Sequence, residues 1–291
     1  MTHYHFNLRT LCKSCFCHSA TLITLTATIM LTPFTDAEAK NDTTIIDQIT
    51  AQNSKLTVTV LDSRNQSENH QNNNSHTLSY AQPVRLDQVV KDAIAQFTQQ
   101  HPDQTPYWLG SALMSPLPPH NKTYTLSLLN SLAFDQNNSF ALRQSAKHLS
   151  TWLNQYVDQR RLGQNLDYDY LRLNVKHNPL LQGEYQVVLP TTPNKVLVVG
   201  ATDKPTWVTW HPRISAQEIL QQVSLIDERN KSQVSVIQPD GSVEAHSIAY
   251  WNQNHQDIAP GATLYVHYEQ LFDLHKELNQ YLVQLLQNRT L

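Results

Sequence analysis

The segment from residue 234 to residue 266 constrains the fold most, because two turn signals divide it into three strand-like stretches. Pro239-Asp240-Gly241 predicts a tight turn, since proline presets φ and glycine supplies a positive φ. Pro260-Gly261 predicts a second turn. The stretch between the turns, 243–251, and the stretches on either side carry β-branched and aromatic residues. This pattern predicts a β-meander, in which each strand pairs with the next.

The first half of the chain predicts two strands followed by a helix. Residues 55–61 alternate apolar and polar side chains, as a half-buried strand does. Residues 62–79 are rich in Asn, Ser and His without periodicity and predict a mobile loop. A return strand at 83–86 leads into a helix that begins at Leu86. The apolar side chains of this helix recur at helical spacing: Val89, Val90, Ala93, Ile94 and Phe97.

A helical hairpin is predicted next, inserted into this first unit. Residues 125–132 form one candidate helix, and residues 140–160 form a stronger one with apolar side chains at helical steps. Short strands are predicted at 107–109, 171–175 and 185–189, where apolar and polar or aromatic residues alternate.

The last third of the chain repeats the first in outline. Strands are predicted at 195–200 and 206–210. Ser215 predicts a helix N-cap, and Glu218 three residues later predicts a capping box for a short helix over 216–223. Two strands, a helix and further strands in each half indicate an α+β fold with two β-grasp-like domains, the first with a helical-hairpin insertion. We predict these domains at 40–190 and 191–269, followed by a C-terminal amphipathic helix at 270–291.

One face of that terminal helix is apolar, and two interpretations of it stay open. The helix either packs on its own domain or docks on a partner or on a membrane surface. Its polar face carries only Lys276 and Arg289 as cations, so attraction to anionic lipid should be weak. Self-packing or a protein partner is therefore favoured. The residues of the apolar face are Leu271, Leu274, Leu278, Tyr281, Leu282 and Leu285.

The first 39 residues predict a secretory signal peptide. Arg9 and Lys13 precede an apolar stretch at 20–34 that is too short to span a bilayer comfortably, and Ala37-Glu38-Ala39 has the small-residue pattern of a cleavage site. Cleavage after Ala39 is expected; an uncleaved anchor is the alternative. All three cysteines lie in this leader, so the processed chain is expected to have no disulfide and no thiolate metal site. Because the apolar stretch is removed with the leader, no transmembrane segment is expected in the processed chain.

Composition argues against nucleic acid as a partner. The net charge is −3, only 15% of residues are charged, and no basic cluster is present. Aromatic residues with polar neighbours make a neutral glycan one hypothesis for the ligand, because flat aromatic faces stack on sugars and amides bind hydroxyls. Packing of these aromatic residues in the core is the favoured alternative, since aromatic strand residues usually face the core. The candidate glycan-binding residues are Trp207, Trp210, Tyr250, Trp251 and Asn252.

No pattern of catalytic residues stands out. Asp167-Tyr168-Asp169 resembles the carboxylate pair by which some glycosyltransferases hold a metal and a nucleotide sugar, but it lies at the start of a predicted strand. Other carboxylates, such as Glu184, Asp203 and Glu244, are scattered. Four histidines of the second half could bind a metal ion only if the fold brings them together. They are His211, His246, His255 and His267. We therefore predict no catalytic residues, no metal site and no cofactor.

Several motifs of the last third are similar to those of one known family. They are Pro239-Asp240-Gly241, Ala249-Tyr250-Trp251-Asn252, His255, Pro260-Gly261 and Leu264-Tyr265-Val266. The chain thereby resembles the GfcC-like periplasmic proteins that serve the assembly of group 4 capsule and related exopolysaccharides. That family is similar to the periplasmic β-grasp domains of Wza-type export channels.

The resemblance implies a soluble periplasmic accessory protein of capsule assembly or export, with no catalytic residues carried over. Its expected partners are the polysaccharide, an outer-membrane export channel or other capsule-assembly proteins. Two other classes stay open, a periplasmic glycan-modifying enzyme and a structural adaptor that binds only protein. The enzyme class predicts a deep pocket with two carboxylates, whereas the adaptor class predicts an exposed apolar patch.

Overall fold

The structure is a computed structural model that describes most of the chain from residue 55 onward. The described residues are 55–62, 75–226, 233–249, 256–268 and 277–291. The predicted leader, the centre of the predicted loop at 62–79 and the first part of the predicted terminal helix lie outside them.

The first sheet has five strands in the order β2-β1-β7-β4-β5. The first and last strands in sequence order, β1 and β7, are neighbours inside the sheet and run parallel. The other neighbouring pairs are antiparallel. A two-stranded sheet of β3 and β6 lies beside it. The strands are β1 (Leu56–Leu61), β2 (Ser75–Tyr80), β3 (Val84–Arg85), β4 (Ala112–Ser115), β5 (Arg160–Leu162), β6 (Leu180–Leu181) and β7 (Gly183–Val188).

The second sheet has five strands in the order β11-β10-β12-β8-β9. Here too the first and last strands of the unit, β8 and β12, are parallel neighbours, and the remaining pairs are antiparallel. The strands are β8 (Lys195–Gly200), β9 (Thr206–Thr209), β10 (Gln233–Ile237), β11 (Val243–Ser247) and β12 (Thr263–Val266).

Six α-helices accompany the sheets in the described residues. Ser139, Asp167 and Ser215 cap three of them, each accepting a hydrogen bond from a first-turn backbone N–H. The helices are α1 (Leu86–Gln100), α2 (Lys122–Phe134), α3 (Phe140–Tyr156), α4 (Tyr168–Leu173), α5 (Ala216–Leu220) and α6 (Leu278–Leu286).

The two sheets share one topology. Counted within its own unit, each sheet has the order second, first, last, third, fourth, and a helix follows each opening hairpin. The hairpin α2–α3 lies between the third and fourth strands of the first unit, where it leaves the strand order intact. The predicted α+β class is confirmed, and the two units are compatible with two β-grasp-like domains.

Most of the inserted hairpin packs on the second unit. Leu129, Leu149 and Leu153 of α2 and α3 belong to the same buried cluster as Val198 and Leu264 of the second sheet. The first sheet has its own core, in which α1 covers β1 and β7. The hairpin therefore packs into the core of the second unit rather than standing apart as a separate domain.

Several predictions about local structure are wrong. Residues 234–266 do not form a meander, because β12 pairs with β10 and β8, leaving β11 at the edge. Ser75–Tyr80 overlaps the end of the predicted mobile loop at 62–79 and is an edge strand, in which only Leu78 and Tyr80 pack on the core. Its other side chains are polar because they face solvent.

Two predicted strands are helical. Residues 108–110 form a 3-10 turn, and the strand begins at Ala112 instead. The predicted strand 171–175 begins within α4, which Asp167 caps. The alternating pattern of apolar and polar residues led to the wrong prediction of a strand. Leu173 and Val175 are 75% and 68% exposed, so the alternation does not mark a buried face. No helix among the described residues combines the length and hydrophobicity needed to cross a bilayer.

A buried hydroxyl pair fixes the hairpin to the second sheet. Ser145 Oγ of α3 donates a hydrogen bond to the Gly200 carbonyl at 2.9 Å and lies 3.0 Å from the Tyr268 hydroxyl. Burial raises the pKa of Tyr268, so this hydroxyl stays protonated at neutral pH.

We expect Ser145→Ala to destabilise the protein more than Tyr268→Phe. The first substitution leaves the buried Tyr268 hydroxyl unpaired, which costs about 1–3 kcal/mol. The second leaves Ser145 bonded to Gly200 and costs about 0.5–1.5 kcal/mol. Urea unfolding of both variants measures the difference. Equal losses, or a larger loss for Tyr268→Phe, would contradict the proposed role of Ser145.

Candidate functional site

A polar cleft lies where the first unit meets the turn between β10 and β11. Its volume is about 520 Å³. Trp108 and Leu109 of the 3-10 turn form one wall, and the segment from 161 to 167 that links β5 to α4 forms another. Asp240 of the Pro239-Asp240-Gly241 turn contributes from the second unit. The cleft therefore combines three segments that are far apart in the sequence.

Arg161 holds the two units together at this cleft. Its Nη2 donates to the carbonyl of Pro239 at 2.9 Å and to the carbonyl of Arg289 at 3.1 Å. Its backbone N–H donates to Asn288 Oδ1 at 3.1 Å. One residue of β5 thus binds both the 239–241 turn and the segment that follows α6.

The segment 287–289 completes this connection from the other side. Gln287 Nε2 donates to the Gly241 carbonyl at 2.9 Å, and Arg289 Nη1 donates to the Gly261 carbonyl at 2.8 Å and to Thr263 Oγ1 at 3.0 Å. The guanidinium of Arg289 also lies 5.1 Å from the ring centre of Trp207. Both turns that carry the sequence motifs are therefore bound by this segment.

The charges around the cleft are unusual because two guanidinium groups lie close together. Burial lowers the pKa of Arg161 to about 10, against the attraction of Asp240. Burial, followed by the positive charge of Arg161, lowers the pKa of Arg289 to about 9. Both stay charged at neutral pH. Carbonyl oxygens accept hydrogen bonds from a terminal nitrogen of each guanidinium, whereas Arg161 Nε is buried and has no hydrogen-bond partner in the described residues. Burial, followed by the charge of Asp240, raises the pKa of Tyr107 to about 12.

The cleft offers an aromatic face and neutral hydrogen-bonding groups. Trp108 is 44% exposed, so much of its indole is open to solvent. The Asn165 side chain accepts a hydrogen bond from the Asp167 backbone N–H at 2.8 Å, which fixes its orientation, while its amide nitrogen has no partner in the described residues. An exposed aromatic ring beside oriented amides can bind a polar ligand with flat apolar faces.

The two carboxylates of the cleft already have structural roles. Asp167 Oδ1 accepts from the Tyr170 backbone N–H at 2.9 Å as the N-cap of α4. Asp240 Oδ1 accepts from the backbone N–H and hydroxyl of Ser242 at 2.8 and 2.7 Å. Asp169, the partner of Asp167 in the Asp-x-Asp pattern, faces Arg172 at 3.6 Å on the surface.

The predicted glycan-binding tryptophans of the second unit lie elsewhere. Trp207 packs against the core and against Arg289, and Trp210 Nε1 donates to the Ile258 carbonyl at 2.7 Å. Neither lines the cleft. The other three predicted residues, Tyr250, Trp251 and Asn252, lie outside the described residues.

The apolar face of the terminal helix is partly accounted for by self-packing. Leu278, Leu282 and Leu285 are buried in the core of the second unit, so the chain itself covers them. Tyr281 contacts Tyr124 edge to face, with ring centres 5.3 Å apart. Leu271 and Leu274 lie outside the described residues.

The histidines considered as metal ligands have separate partners. His211 Nε2 lies 2.8 Å from Glu218 Oε1, His246 Nε2 lies 3.0 Å from Glu244 Oε2, and His267 Nε2 lies 2.8 Å from Ser235 Oγ. The Glu218 carboxylate of the predicted capping box is thus bound to a histidine, although Ser215 caps α5 as predicted. His255 lies outside the described residues, which contain no cluster of three potential metal ligands.

Sequence reasoning missed Trp108 and Arg161. Trp108 fell within a predicted strand, and Arg161 fell just beyond the end of a predicted helix. Arginine side chains are mostly exposed in proteins, so no local pattern of the sequence marked Arg161 as partly buried.

We expect Arg161→Lys to destabilise the protein by about 1–3 kcal/mol, because lysine keeps the charge but its shorter side chain does not place the ammonium where Nη2 donates to both carbonyls. Chemical unfolding measures the loss, and amide hydrogen exchange at Gly241 should become faster. Arg172→Lys is the matched control, since Arg172 is exposed and should change stability by less than about 0.5 kcal/mol. Equal losses in the two variants would refute a joining role for Arg161.

Comparison with known proteins agrees with this architecture. The family described as "Capsule biosynthesis GfcC, N-terminal" matches residues 64–191, and the family described as "Capsule biosynthesis GfcC C-terminal" matches residues 204–290. The chain is also 31% identical over 126 residues to the "Uncharacterized protein YjbG" of Escherichia coli (strain K12). That match covers 43% of this chain and 49% of YjbG, so it spans about half of the relative's length. Because the two family matches together cover most of the chain, the protein belongs to the GfcC family of capsule biosynthesis proteins.

Proposed function

We propose that this chain is a noncatalytic periplasmic accessory protein of capsule or exopolysaccharide assembly or export, and that its cleft binds a short segment of the glycan. The exposed indole of Trp108 at the wall of a polar cleft is the observation that carries the proposal. Membership of a capsule biosynthesis family supports a role in capsule assembly. The predicted signal peptide at residues 1–39 supports the periplasmic location.

The size and chemistry of the cleft favour a sugar over a purely apolar ligand. Its volume of about 520 Å³ is within the range of small-ligand sites. Trp108 can stack on the C–H face of a pyranose, while Gln164 and Asn165 can bind ring hydroxyls. A glycan that reaches Asp240 would contact both units at once.

A noncatalytic role is favoured because Asp167 and Asp240 serve as hydrogen-bond acceptors for backbone and side-chain groups of the protein. A general acid needs a carboxyl group whose pKa is raised, usually by an apolar environment. Asp167 and Asp240 are instead both exposed to solvent.

The direct test is calorimetry. Purified exopolysaccharide from the source organism is titrated into residues 40–291, the chain without its predicted leader. We expect saturable binding that Trp108→Ala weakens about fivefold to tenfold, because a stacked aromatic ring contributes about 1 kcal/mol beyond its buried area. Unchanged unfolding curves would show that the loss is local.

The matched control is Phe140→Ala, an aromatic residue that is 68% exposed and does not line the cleft. Equal binding by wild type and Trp108→Ala would refute the assignment of the cleft as the glycan-binding site. No binding at millimolar sugar would favour a protein-binding adaptor, and release of shortened sugar from the mixture would favour a glycan-modifying enzyme.

A further inference from the structure

Two carboxylates of the cleft each keep one oxygen available to a ligand. Asp167 accepts the Tyr170 backbone N–H through Oδ1, and Asp240 accepts both donors of Ser242 through Oδ1. The Oδ2 atoms of Asp167 and Asp240 have no hydrogen-bond partner in the described part of the chain. Both side chains are exposed and line the cleft, Asp167 from the first unit and Asp240 from the second. A ligand in the cleft can therefore donate to two carboxylate oxygens.

The positive charge at the cleft is engaged by the protein itself. Among the described residues that line the cleft, Arg161 is the cation. Its Nη2 donates to two backbone carbonyls, and its Nε is buried away from any ligand. The charge of Asp240 attracts this guanidinium, whereas Asp167 forms no salt bridge with the described residues. With two carboxylates against one guanidinium, the lining of the cleft has a net negative charge.

This charge distribution distinguishes between classes of sugar. A sugar hydroxyl donates to a carboxylate, and the resulting charge-assisted hydrogen bond is stronger than a neutral one. A uronate substituent is ionised at neutral pH, so it offers no proton to Asp167 or Asp240 and is repelled by both. Stacking on Trp108 is similar for neutral and acidic pyranoses, because it depends on the C–H face of the ring. The carboxylates, rather than the aromatic ring, therefore decide which sugars are preferred.

We propose that Asp167 and Asp240 are specificity-determining residues, which make the cleft select uncharged, hydroxyl-rich segments of a glycan and exclude acidic ones. This selectivity rests on the proposed function, since the glycan must occupy the cleft to meet both carboxylates. The substrate class is then a neutral polysaccharide, or the neutral stretches of a mixed one.

Two derivatives of one polymer test this selectivity. In the first, the carboxylates of purified exopolysaccharide from the source organism are reduced to alcohols; in the second, its primary hydroxyls are oxidised to carboxylates. Each is titrated into residues 40–291 by calorimetry. We expect the reduced polymer to bind at least about fivefold tighter per repeat at low salt, which corresponds to the repulsion of like charges a few ångströms apart in water. The preference should fall at about 0.5 M NaCl, because salt screens exposed charges.

Asp167→Asn and Asp240→Asn remove the negative charges but keep Oδ1 as an acceptor. Asparagine caps helices and forms tight turns as aspartate does, so both variants should fold normally. Each should lower the preference for the reduced polymer at least about twofold, because one repulsive charge is removed. The matched control is Asp169→Asn, which removes an exposed carboxylate of the same segment that does not line the cleft. It should leave the preference unchanged, although it changes the net charge of the protein equally.

Gly163→Phe separates failure of the selectivity from failure of the glycan site. Gly163 is exposed at the cleft, its φ lies outside the left-handed region, and an added Cβ would meet no heavy atom within 4 Å. A phenylalanine side chain should therefore fill the cleft without disturbing the fold. Suppose that Gly163→Phe abolishes binding, but the oxidised polymer binds as tightly as the reduced one or tighter, or the two Asn variants are as selective as wild type. Any of these results would overturn the selectivity alone. Binding unchanged by Gly163→Phe, or no binding of either polymer, would overturn the glycan site and the selectivity together.

Discussion

The close approach of β8 and β12 at Gly200 is the constraint on which much of the second unit depends. Gly200 has φ +105°, and a Cβ at this position would collide with the Val266 carbonyl and the ring of Tyr265. Only glycine therefore lets the first and last strands of the unit pair in parallel to their ends. The Gly200 carbonyl then accepts the Ser145 hydroxyl, so the same position anchors the helical hairpin.

Parallel pairing of first and last strands also explains where the rest of the chain lies. Such a pair cannot be joined by a tight turn, so the intervening residues must cross over the sheet. In the first unit this crossover includes α1 and the hairpin α2–α3. The hairpin buries its leucines against the second sheet, so the chain of the first unit contributes to the core of the second although the described strands of the two sheets do not pair.

The parts of the fold that were predicted correctly depend on local patterns. The strands β1 and β8 and the helices α1 and α3 follow from apolar periodicity, and the cap at Ser215 follows from a short motif. The order of β10, β11 and β12 was predicted incorrectly because pairing with β8 is decided by residues far away in the sequence. The strand β2 was missed because few of its side chains are buried.

The candidate site was predicted less well for a related physical reason. The sequence drew attention to tryptophans and to two turns, and the structure shows that Trp207 and both turns help to hold the chain together. The exposed aromatic residue of the cleft is Trp108. Side-chain exposure of an isolated aromatic residue is a tertiary property that no local pattern encodes.

The geometry of the cleft also bears on the strength of the proposed glycan binding. Association costs roughly 4–15 kcal/mol in lost freedom, which one stacked aromatic ring and a few amides offset only in part. A short oligosaccharide should therefore bind weakly, whereas a polymer that presents many equivalent repeats rebinds before it diffuses away. Weak contacts with each repeat suit the proposed accessory role, in which the protein would hold a growing or exported chain and also release it.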